Sequence, residues 1–194
     1  MNIVAHHYDI LVDEGQDPVH DPKILQDYMD KWDGQRFIDE LHLDKSKSVL
    51  EIGVGTGRVA VRVAPFCRKF TGIDVSEKTI LKARENLDNV ILICGDFLEY
   101  RFGESFDVIY STLTFQHIKE KQKAFDKVCY LLCDSGRFVL SVDKNTDRVI
   151  DAGYSAVEVY PDLPCDIKLY ADKAGLKLFS EFETEFAFVF VYEK

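Results

Sequence analysis

Residues 49–58 read VLEIGVGTGR, an apolar run that passes directly into a glycine-rich turn. Short apolar runs of this kind are typical of buried strands, and the residues after the turn have helical spacing. Glycine at alternate positions (Gly53, Gly55 and Gly57) lets the backbone bend tightly and lets a ligand approach it closely. A helix that begins near residues 56–58 would point free amide groups at that ligand. We therefore expect a ligand site here; a turn that only packs a helix on a strand is the alternative.

Six more runs of strand type follow the first one, which covers residues 48–52. They lie at residues 70–74, 90–94, 106–111, 137–142, 176–182 and 186–192. Segments with helical spacing separate most of them: residues 76–87, residues 124–132 with a stop at 134–136, and residues 163–174 with a stop at Gly175. Strands that alternate with helices predict an α/β fold with a parallel sheet. Only three residues separate the last two strands, which predicts an antiparallel hairpin at one end.

The chain has 194 residues, a length that favours one domain over several. We divide it into an N-terminal helical extension or lid (1–47, with one or two helices at 24–41), a ligand-binding core (48–142), an insert (143–161), and a closing helix and hairpin (162–194). A long insert without clear periodicity is usually functional or mobile.

Charge and cysteine content narrow the classes of partner. With 24 basic and 34 acidic residues the net charge is −10, which disfavours nucleic acid and anionic membranes as partners. Five cysteines with no C-x-x-C pair predict neither a disulfide framework nor a metal site. The N-terminal residues do not resemble a signal peptide, so we expect a cytoplasmic protein.

Two acidic residues specify the kind of ligand. Asp74 ends the second strand, 17 residues after Gly57, where a carboxylate is placed to bind both ribose hydroxyls of a nucleoside. Capping of the following helix is the alternative role for Asp74. The loop does not match the G-x-G-x-x-G pattern of dinucleotide folds, and Glu51 beside it would repel a diphosphate but attract an ammonium group.

At this point the chain resembles the class I S-adenosylmethionine-dependent methyltransferases. The resemblance rests on the loop Glu51-x-Gly53-x-Gly55-x-Gly57, on Asp74, on Gly95-Asp96-Phe97, on residues 106–110 and on residues 131–138. It covers roughly residues 46–143. It implies a Rossmann-like, doubly wound, seven-stranded sheet of order 3-2-1-4-5-7-6, in which strand 7 is antiparallel.

The resemblance also implies roles for residues around an S-adenosylmethionine cofactor. Gly53, Gly55 and Gly57 would line the methionine part, Asp74 would hold the ribose, Val75 would pack on the adenine, Asp96 and Phe97 would contact the adenine, Ser111 would touch the amino or carboxylate group, and Tyr8 would belong to a lid. Three of these roles have alternatives: Asp96 as a turn residue, Phe97 as core, and Tyr8 in a frayed terminus.

The sequence has fewer specific signals for the part of the site that would bind the methyl acceptor. His117, six residues after Ser111, is the candidate general base, and packing at the start of the next helix is the alternative. Residues 111–114 lack the Asn/Asp-Pro-Pro-aromatic tetrapeptide of enzymes in this family that methylate nucleobases. The acidic insert at 143–161 could roof the site and would suit a neutral or cationic acceptor. His6 and His7 are not expected to bind a metal.

The leading hypothesis is in-line methyl transfer to a small-molecule acceptor. A domain that binds the cofactor without catalysis, or serves as a regulatory subunit, is a second hypothesis. A nicotinamide-dependent oxidoreductase is a third, against which the loop spacing and Glu51 both count.

Overall fold

One seven-stranded sheet organises the computed structural model, which describes residues 2–194. Its strands lie in the order β3-β2-β1-β4-β5-β9-β8. They are β1 (Ser48–Ile52), β2 (Lys69–Asp74), β3 (Ile91–Cys94), β4 (Phe106–Thr112), β5 (Leu132–Asp143), β8 (Lys177–Glu183) and β9 (Ala187–Glu193). Strands β1 to β5 pair in parallel, and β9 is antiparallel to both of its neighbours. In this sheet β8 and β9 are the sixth and seventh strands along the chain, and β9 lies between β5 and β8. This confirms the predicted order 3-2-1-4-5-7-6.

Helices cover both faces of the sheet because the strands are apolar on both sides. The helices are α1 (Ile3–Asp13), α2 (Lys23–Met29), α3 (Gly34–Glu40), α4 (Ala60–Val63), α5 (Glu77–Asn86), α6 (Lys121–Leu131) and α7 (Pro164–Ala174). All five residues of β1 are buried, and side chains alternate between the faces. Leu50 therefore packs in the core formed with α6 and α7, while its neighbour Val49 packs in the core formed with α3, α4 and α5.

Two predicted helix ends are confirmed. Ser76 caps α5, and its hydroxyl accepts a hydrogen bond from the Thr79 amide at 3.1 Å. Gly175 ends α7 with a left-handed φ of 88°, a conformation that favours glycine over other residues.

Other boundaries differ from the prediction. The helix predicted at 124–132, with a stop at 134–136, spans Lys121–Leu131, and residues 134–136 belong to an irregular first part of β5 where Ser135 has a φ of 60°. The helix after the glycine loop begins only at Ala60 and has four residues, so no helix terminus lies at residues 56–58. Residues 24–41 contain two helices, and α1 has no counterpart among the predicted elements.

The insert forms a small sheet of its own. Strands β6 (Val149–Asp151) and β7 (Ala156–Glu158) pair in antiparallel fashion, and β7 contacts α1. The Ser155 hydroxyl is 2.8 Å from the His7 Nδ1 atom of that helix. Among residues 2–194, no helix combines the length and the apolar content needed to cross a bilayer.

Candidate functional site

A cavity of about 590 Å³ lies at the carboxyl ends of β1, β2 and β4 and is covered by α1. Ligands of open α/β sheets bind at this edge, where the order of the strands reverses direction. Nine of the eleven predicted site residues line the cavity; Gly57 and Ser111 do not.

The glycine loop needs its glycines for different reasons. Gly53 has a φ of 78°, and a Cβ atom there would lie 1.9 Å from the Thr114 hydroxyl oxygen, so a side chain has no room. Gly55 has a φ of 53° and open space around the position of its missing Cβ. Gly57 packs against Leu87 of the segment after α5, with a hypothetical Cβ contact of 2.9 Å. Gly57 therefore serves packing and does not line the cavity, and its ligand contact stays a prediction.

Asp74 organises the loop from the end of β2. One carboxylate oxygen accepts a hydrogen bond from the Gly55 amide at 2.9 Å, and the other accepts one from the Ser76 amide at 3.0 Å. Burial raises the pKa of the Asp74 carboxyl. Each carboxylate oxygen has a second lone pair, so Asp74 can still accept hydrogen bonds from two hydroxyl groups.

Glu51 is a buried carboxyl group of the cavity whose pKa is far from its ordinary value. Its side chain is 2% exposed and accepts a hydrogen bond from the Tyr110 hydroxyl at 2.8 Å. Burial raises the pKa of Glu51 to about 8, an effect that the Tyr110 bond and the positive charge of Arg58 oppose. A cation bound in the cavity would favour the ionised form of Glu51.

Asp96 and Phe97 form the wall beyond β3. One Asp96 oxygen accepts the Leu98 amide at 2.7 Å, so Asp96 is a turn residue that also lines the cavity. Phe97 is buried against Phe102 and lines the cavity as well. The structural role of each residue, in a turn for Asp96 and in the core for Phe97, is therefore compatible with the predicted contact with the adenine, because both residues also line the cavity.

Ser111 lies elsewhere. Its side chain is fully buried, and its hydroxyl donates a hydrogen bond to the Ile52 carbonyl at 2.8 Å across the pairing of β1 with β4. The alternation of side chains along β4 brings Thr112 rather than Ser111 to the cavity, and the cofactor contact of Ser111 stays a prediction.

Tyr8 and His117 face each other across the covered side of the cavity. The Tyr8 hydroxyl lies 2.7 Å from the His117 Nε2 atom, and the two rings make an edge contact with centroids 5.4 Å apart. Burial lowers the pKa of His117 to about 4, and its Nδ1 atom is buried without a partner among the described residues. Burial and the nearby Asp74 raise the pKa of Tyr8.

Helix α1 is anchored rather than frayed. The carboxylate of Asp9 accepts hydrogen bonds from the Ser76 hydroxyl at 2.6 Å and from the Lys78 amide at 3.2 Å. These contacts fix the start of α5 to α1, and they hold Tyr8 over the cavity.

Comparisons with known proteins agree with this geometry. A family described as "Methyltransferase domain" matches residues 50–140. An uncharacterized methyltransferase of Anoxybacillus flavithermus is 35% identical over 120 residues, which are 60% of this chain and 57% of that protein. Another from Bacillus cytotoxicus is 32% identical over 146 residues, 71% of this chain and 62% of that protein. The chain thus spans little more than half the length of these relatives.

Two solved structures share the fold. Magnesium protoporphyrin IX methyltransferase (ChlM) from Synechocystis PCC 6803, with bound SAM, superposes with a TM-score of 0.76 at 15% identity and covers 99% of this chain and 95% of its own. N-methyltransferase NodS from Bradyrhizobium japonicum WM9, in complex with S-adenosyl-L-homocysteine, superposes with a TM-score of 0.68 at 19% identity and covers 97% and 98%. Residues 50–140 thus match a methyltransferase-domain family, and the fold is the one seen in S-adenosylmethionine-dependent methyltransferases. S-adenosylmethionine is the cofactor of this family.

A buried ion pair of the methyltransferase domain has no counterpart among the predicted site residues. Arg58 lines the cavity, and its guanidinium forms a forked pair with the carboxylate of Asp33 from the N-terminal extension. The only sequence signal was the position of Arg58 directly after the glycine loop. Asp33 lies in a segment with no motif, so nothing in the sequence indicated the pair.

The insert at 143–161 supplies no wall of the cavity, contrary to the prediction. It supports the methyltransferase domain from outside: the Tyr160 amide donates to the Gln116 carbonyl at 2.7 Å, next to His117. A buried pair between Lys121 and Asp162, 2.5 Å apart, fixes the end of the insert to the start of α6. The cavity is closed on this side by α1 and by residues 112–114 and 117–120.

Proposed function

We propose that this protein transfers the methyl group of S-adenosylmethionine to a small-molecule acceptor bound between α1 and residues 112–120. One observation carries the proposal: a single cavity brings together Glu51, Asp74 and Asp96 from three strand ends and sets Tyr8 and His117 beside them. Its volume of about 590 Å³ lies within the range of about 300–1,000 Å³ that is usual for small-molecule sites.

The residues present fit the cofactor. Glu51 suits the ammonium group of the methionine part, and Asp74 suits the ribose hydroxyls. Asp96 and the wall of Val75 and Phe97 suit the adenine, since they offer one free carboxylate oxygen beside apolar surface. Several carboxylates line the cavity, which favours a ligand with net positive charge. The cofactor, when bound, supplies an activated methyl group.

The contribution of the chain is alignment and exclusion of water. Helix α1 covers the cavity, and the bond between Tyr8 and His117 joins it to the segment after β4. Holding two reactants in a productive orientation lowers a barrier by as much as about 7–11 kcal/mol. This term alone is enough for an acceptor that is already a good nucleophile.

His117 handles a proton when the acceptor carries one. Because burial holds its pKa at about 4, the imidazole is neutral near pH 7 and offers a hydrogen-bond acceptor to the Tyr8 hydroxyl. Because the imidazolium form is disfavoured there, His117 is a weak base, and a proton that it accepts from the methyl acceptor would pass on to water. The acidic lining favours a neutral or cationic acceptor, such as an amine, over an anionic one. One fold serves different acceptors, since ChlM is named for magnesium protoporphyrin IX and NodS is named an N-methyltransferase. The proposal therefore names a class of acceptor and not one compound.

Titration with S-adenosylhomocysteine tests the cofactor assignment. Ligand at about 100 times its Kd should stabilise the fold by about 2.7 kcal/mol, or roughly 5–10 °C in Tm for a chain of this size. Asp74→Asn should abolish most of this shift. Asp107→Asn is the matched control, because Asp107 also accepts a backbone amide, that of Ser48 at 2.7 Å, but lies outside the cavity.

Two outcomes would favour the other hypotheses. Stabilisation by NADH but not by S-adenosylhomocysteine would support the oxidoreductase. Cofactor binding without transfer of a labelled methyl group to any fraction of a metabolite extract would support the regulatory domain.

A further inference from the structure

His117 belongs to one short turn of 3₁₀ helix, Phe115–His117, between β4 and α6. A single turn of this kind has few internal hydrogen bonds, and their geometry is poor, so contacts from outside must fix its position. The side chain of Phe115 is buried and supplies one such contact, with its ring centroid 5.5 Å from that of Phe125 and 5.8 Å from that of Phe138. This apolar contact fixes the start of the turn, and polar partners are left to hold its carbonyl groups.

A buried ammonium group holds the first of these carbonyls. The side chain of Lys121 is 8% exposed, and its Nζ atom donates hydrogen bonds to the Phe115 carbonyl and, at 3.0 Å, to the Tyr160 carbonyl. The same Nζ atom is 2.5 Å from a carboxylate oxygen of Asp162, whose side chain is 2% exposed. An ammonium has three N–H groups, and this one has three oxygen partners, so its charge is not left unpaired in the interior. Lys121 therefore joins the turn to the end of the insert.

Tyr160 holds the next carbonyl of the turn. Its amide donates to the Gln116 carbonyl at 2.7 Å, while its own carbonyl accepts from Lys121. The carbonyls of Phe115 and Gln116 directly precede His117, and each is thus fixed from outside the turn. Two fixed peptide groups in succession restrict the direction of the next side chain, because the backbone has only two soft dihedral angles per residue.

The direction of the His117 imidazole matters because this ring meets α1 over the cavity. Its Nε2 atom lies 2.7 Å from the Tyr8 hydroxyl, and both residues line the cavity. Lys121 and Asp162 do not line it, so their effect on a bound ligand passes through the residues that they hold.

We infer that Lys121 is a positioning residue, whose ammonium holds the turn so that His117 meets Tyr8 over the bound ligand. The inference rests on the proposed function. The competing explanation is that Lys121 only stabilises the fold, by joining α6 to the insert. The two explanations differ in whether the effect of Lys121 depends on the contact between Tyr8 and His117.

A double-mutant cycle on ligand release separates these explanations. Lys121→Met should increase the dissociation rate of S-adenosylhomocysteine by about three- to tenfold, the range of one lost hydrogen bond, because it loosens the contact that Tyr8→Phe removes. The double variant should release the ligand no faster than Tyr8→Phe alone, since one contact can be lost only once. An unchanged rate in Lys121→Met, or rates that multiply to about 30- to 100-fold in the double variant, would overturn the inference.

Lys127→Met is the matched control. Lys127 also belongs to α6, and its ammonium also holds two carbonyls, those of Leu98 at 2.9 Å and Tyr100 at 2.5 Å, but these lie in the segment after β3. Any effect of Lys127→Met on ligand release should multiply with that of Tyr8→Phe. Equal coupling of both lysine variants to Tyr8→Phe would overturn the specific role of Lys121.

A second variant covers a failure of Lys121→Met to fold. Removing one partner of a buried ion pair is strongly destabilising, because the other charge is left uncompensated. Lys121→Met/Asp162→Asn removes both charges and keeps the approximate size of both side chains. It should show the same coupling to Tyr8→Phe, and independent effects would again overturn the inference.

Nitrogen NMR of the His117 imidazole, recorded without ligand, gives a readout that does not depend on the proposed function. Tyr8→Phe removes the hydrogen bond at Nε2 and should move the resonance of that atom. Lys121→Met should move it in the same direction, and Lys127→Met should leave it in place. An unmoved resonance in a folded Lys121 variant would overturn the inference and leave the proposed function intact. Failure of the wild type to bind S-adenosylhomocysteine would overturn the proposed function, and the NMR comparison would still decide whether Lys121 positions His117.

Discussion

Replacing Glu51 by glutamine keeps the size of the side chain and removes a titrating group from the cavity. The wild-type carboxyl has a pKa of about 8 because it is buried, and the Tyr110 hydroxyl can still donate to an amide oxygen in the variant. If the ammonium of the cofactor binds beside Glu51, the carboxyl must ionise when the ligand enters. Ligand binding should therefore release a proton in the wild type and none in Glu51→Gln.

The size of this effect follows from the pKa. At pH 7 a carboxyl with a pKa of about 8 is ionised in about one molecule of ten, so binding should release about 0.9 proton. Between pH 6 and 7 the affinity for S-adenosylhomocysteine should rise by nearly tenfold. His117, with a pKa of about 4, does not titrate in this range. The affinity of the glutamine variant should be lower and independent of pH over the same interval.

Calorimetry in two buffers of different ionisation enthalpy counts the released protons directly. Glu120→Gln is the control, because Glu120 is a second glutamate of the cavity lining but is exposed. This control should release as many protons as the wild type. Equal proton release from wild type and Glu51→Gln would refute the argument that Glu51 meets the ammonium.

The same pKa has a consequence for stability without ligand. A carboxyl whose folded pKa is about 8, against an ordinary value of 4.5, contributes stability that is fully present below pH 4.5 and is lost as the pH rises through about 8. Between pH 6 and pH 8.5 the wild type should lose about 2–3 kcal/mol from this group. Urea unfolding should show that Glu51→Gln lacks this loss; an identical loss in the variant would place the titration elsewhere.

Two further predictions concern the walls of the cavity. Gly53→Ala should destabilise the fold by about 2–4 kcal/mol in urea unfolding, because its Cβ would overlap the Thr114 hydroxyl, while Gly55→Ala, which meets only backbone strain, should cost about 1 kcal/mol; equal costs would contradict the packing argument. Tyr8→Phe leaves the His117 Nε2 atom without its partner and should increase the dissociation rate of S-adenosylhomocysteine about tenfold in a stopped-flow displacement experiment; an unchanged rate would mean that α1 does not retain the ligand.

The sequence predicted the sheet and the glycine-loop side of the site well, because the residues there are neighbours in the chain. Glu51, Gly53 and Gly55 belong to one motif, and Asp74 ends the next strand. Ser111 shows the limit of such reasoning. A shift of one residue along β4 changes the face of the sheet, and no pattern in the sequence distinguished Ser111 from Thr112, which lines the cavity.

The remaining site contacts are long-range and have no local signal. Tyr8 meets His117 across 109 positions, and Asp33 meets Arg58 across 25. The strands of the insert have three residues each, too few to show a period of two. Asp9, which helps to hold α1 over the cavity, likewise makes its contact with a helix far away in the sequence.

The position of β9 has a consequence for the order in which the protein is assembled. This strand fills the gap between β5 and β8 and occupies residues 187–193 of 194. During synthesis the growing polypeptide leaves the ribosome from its N-terminus, so β5 has an unpaired edge until residues 187–193 have been made. Nascent molecules stalled before residue 187 would expose that edge to other proteins, and a chaperone that shields it would be needed until β9 has formed.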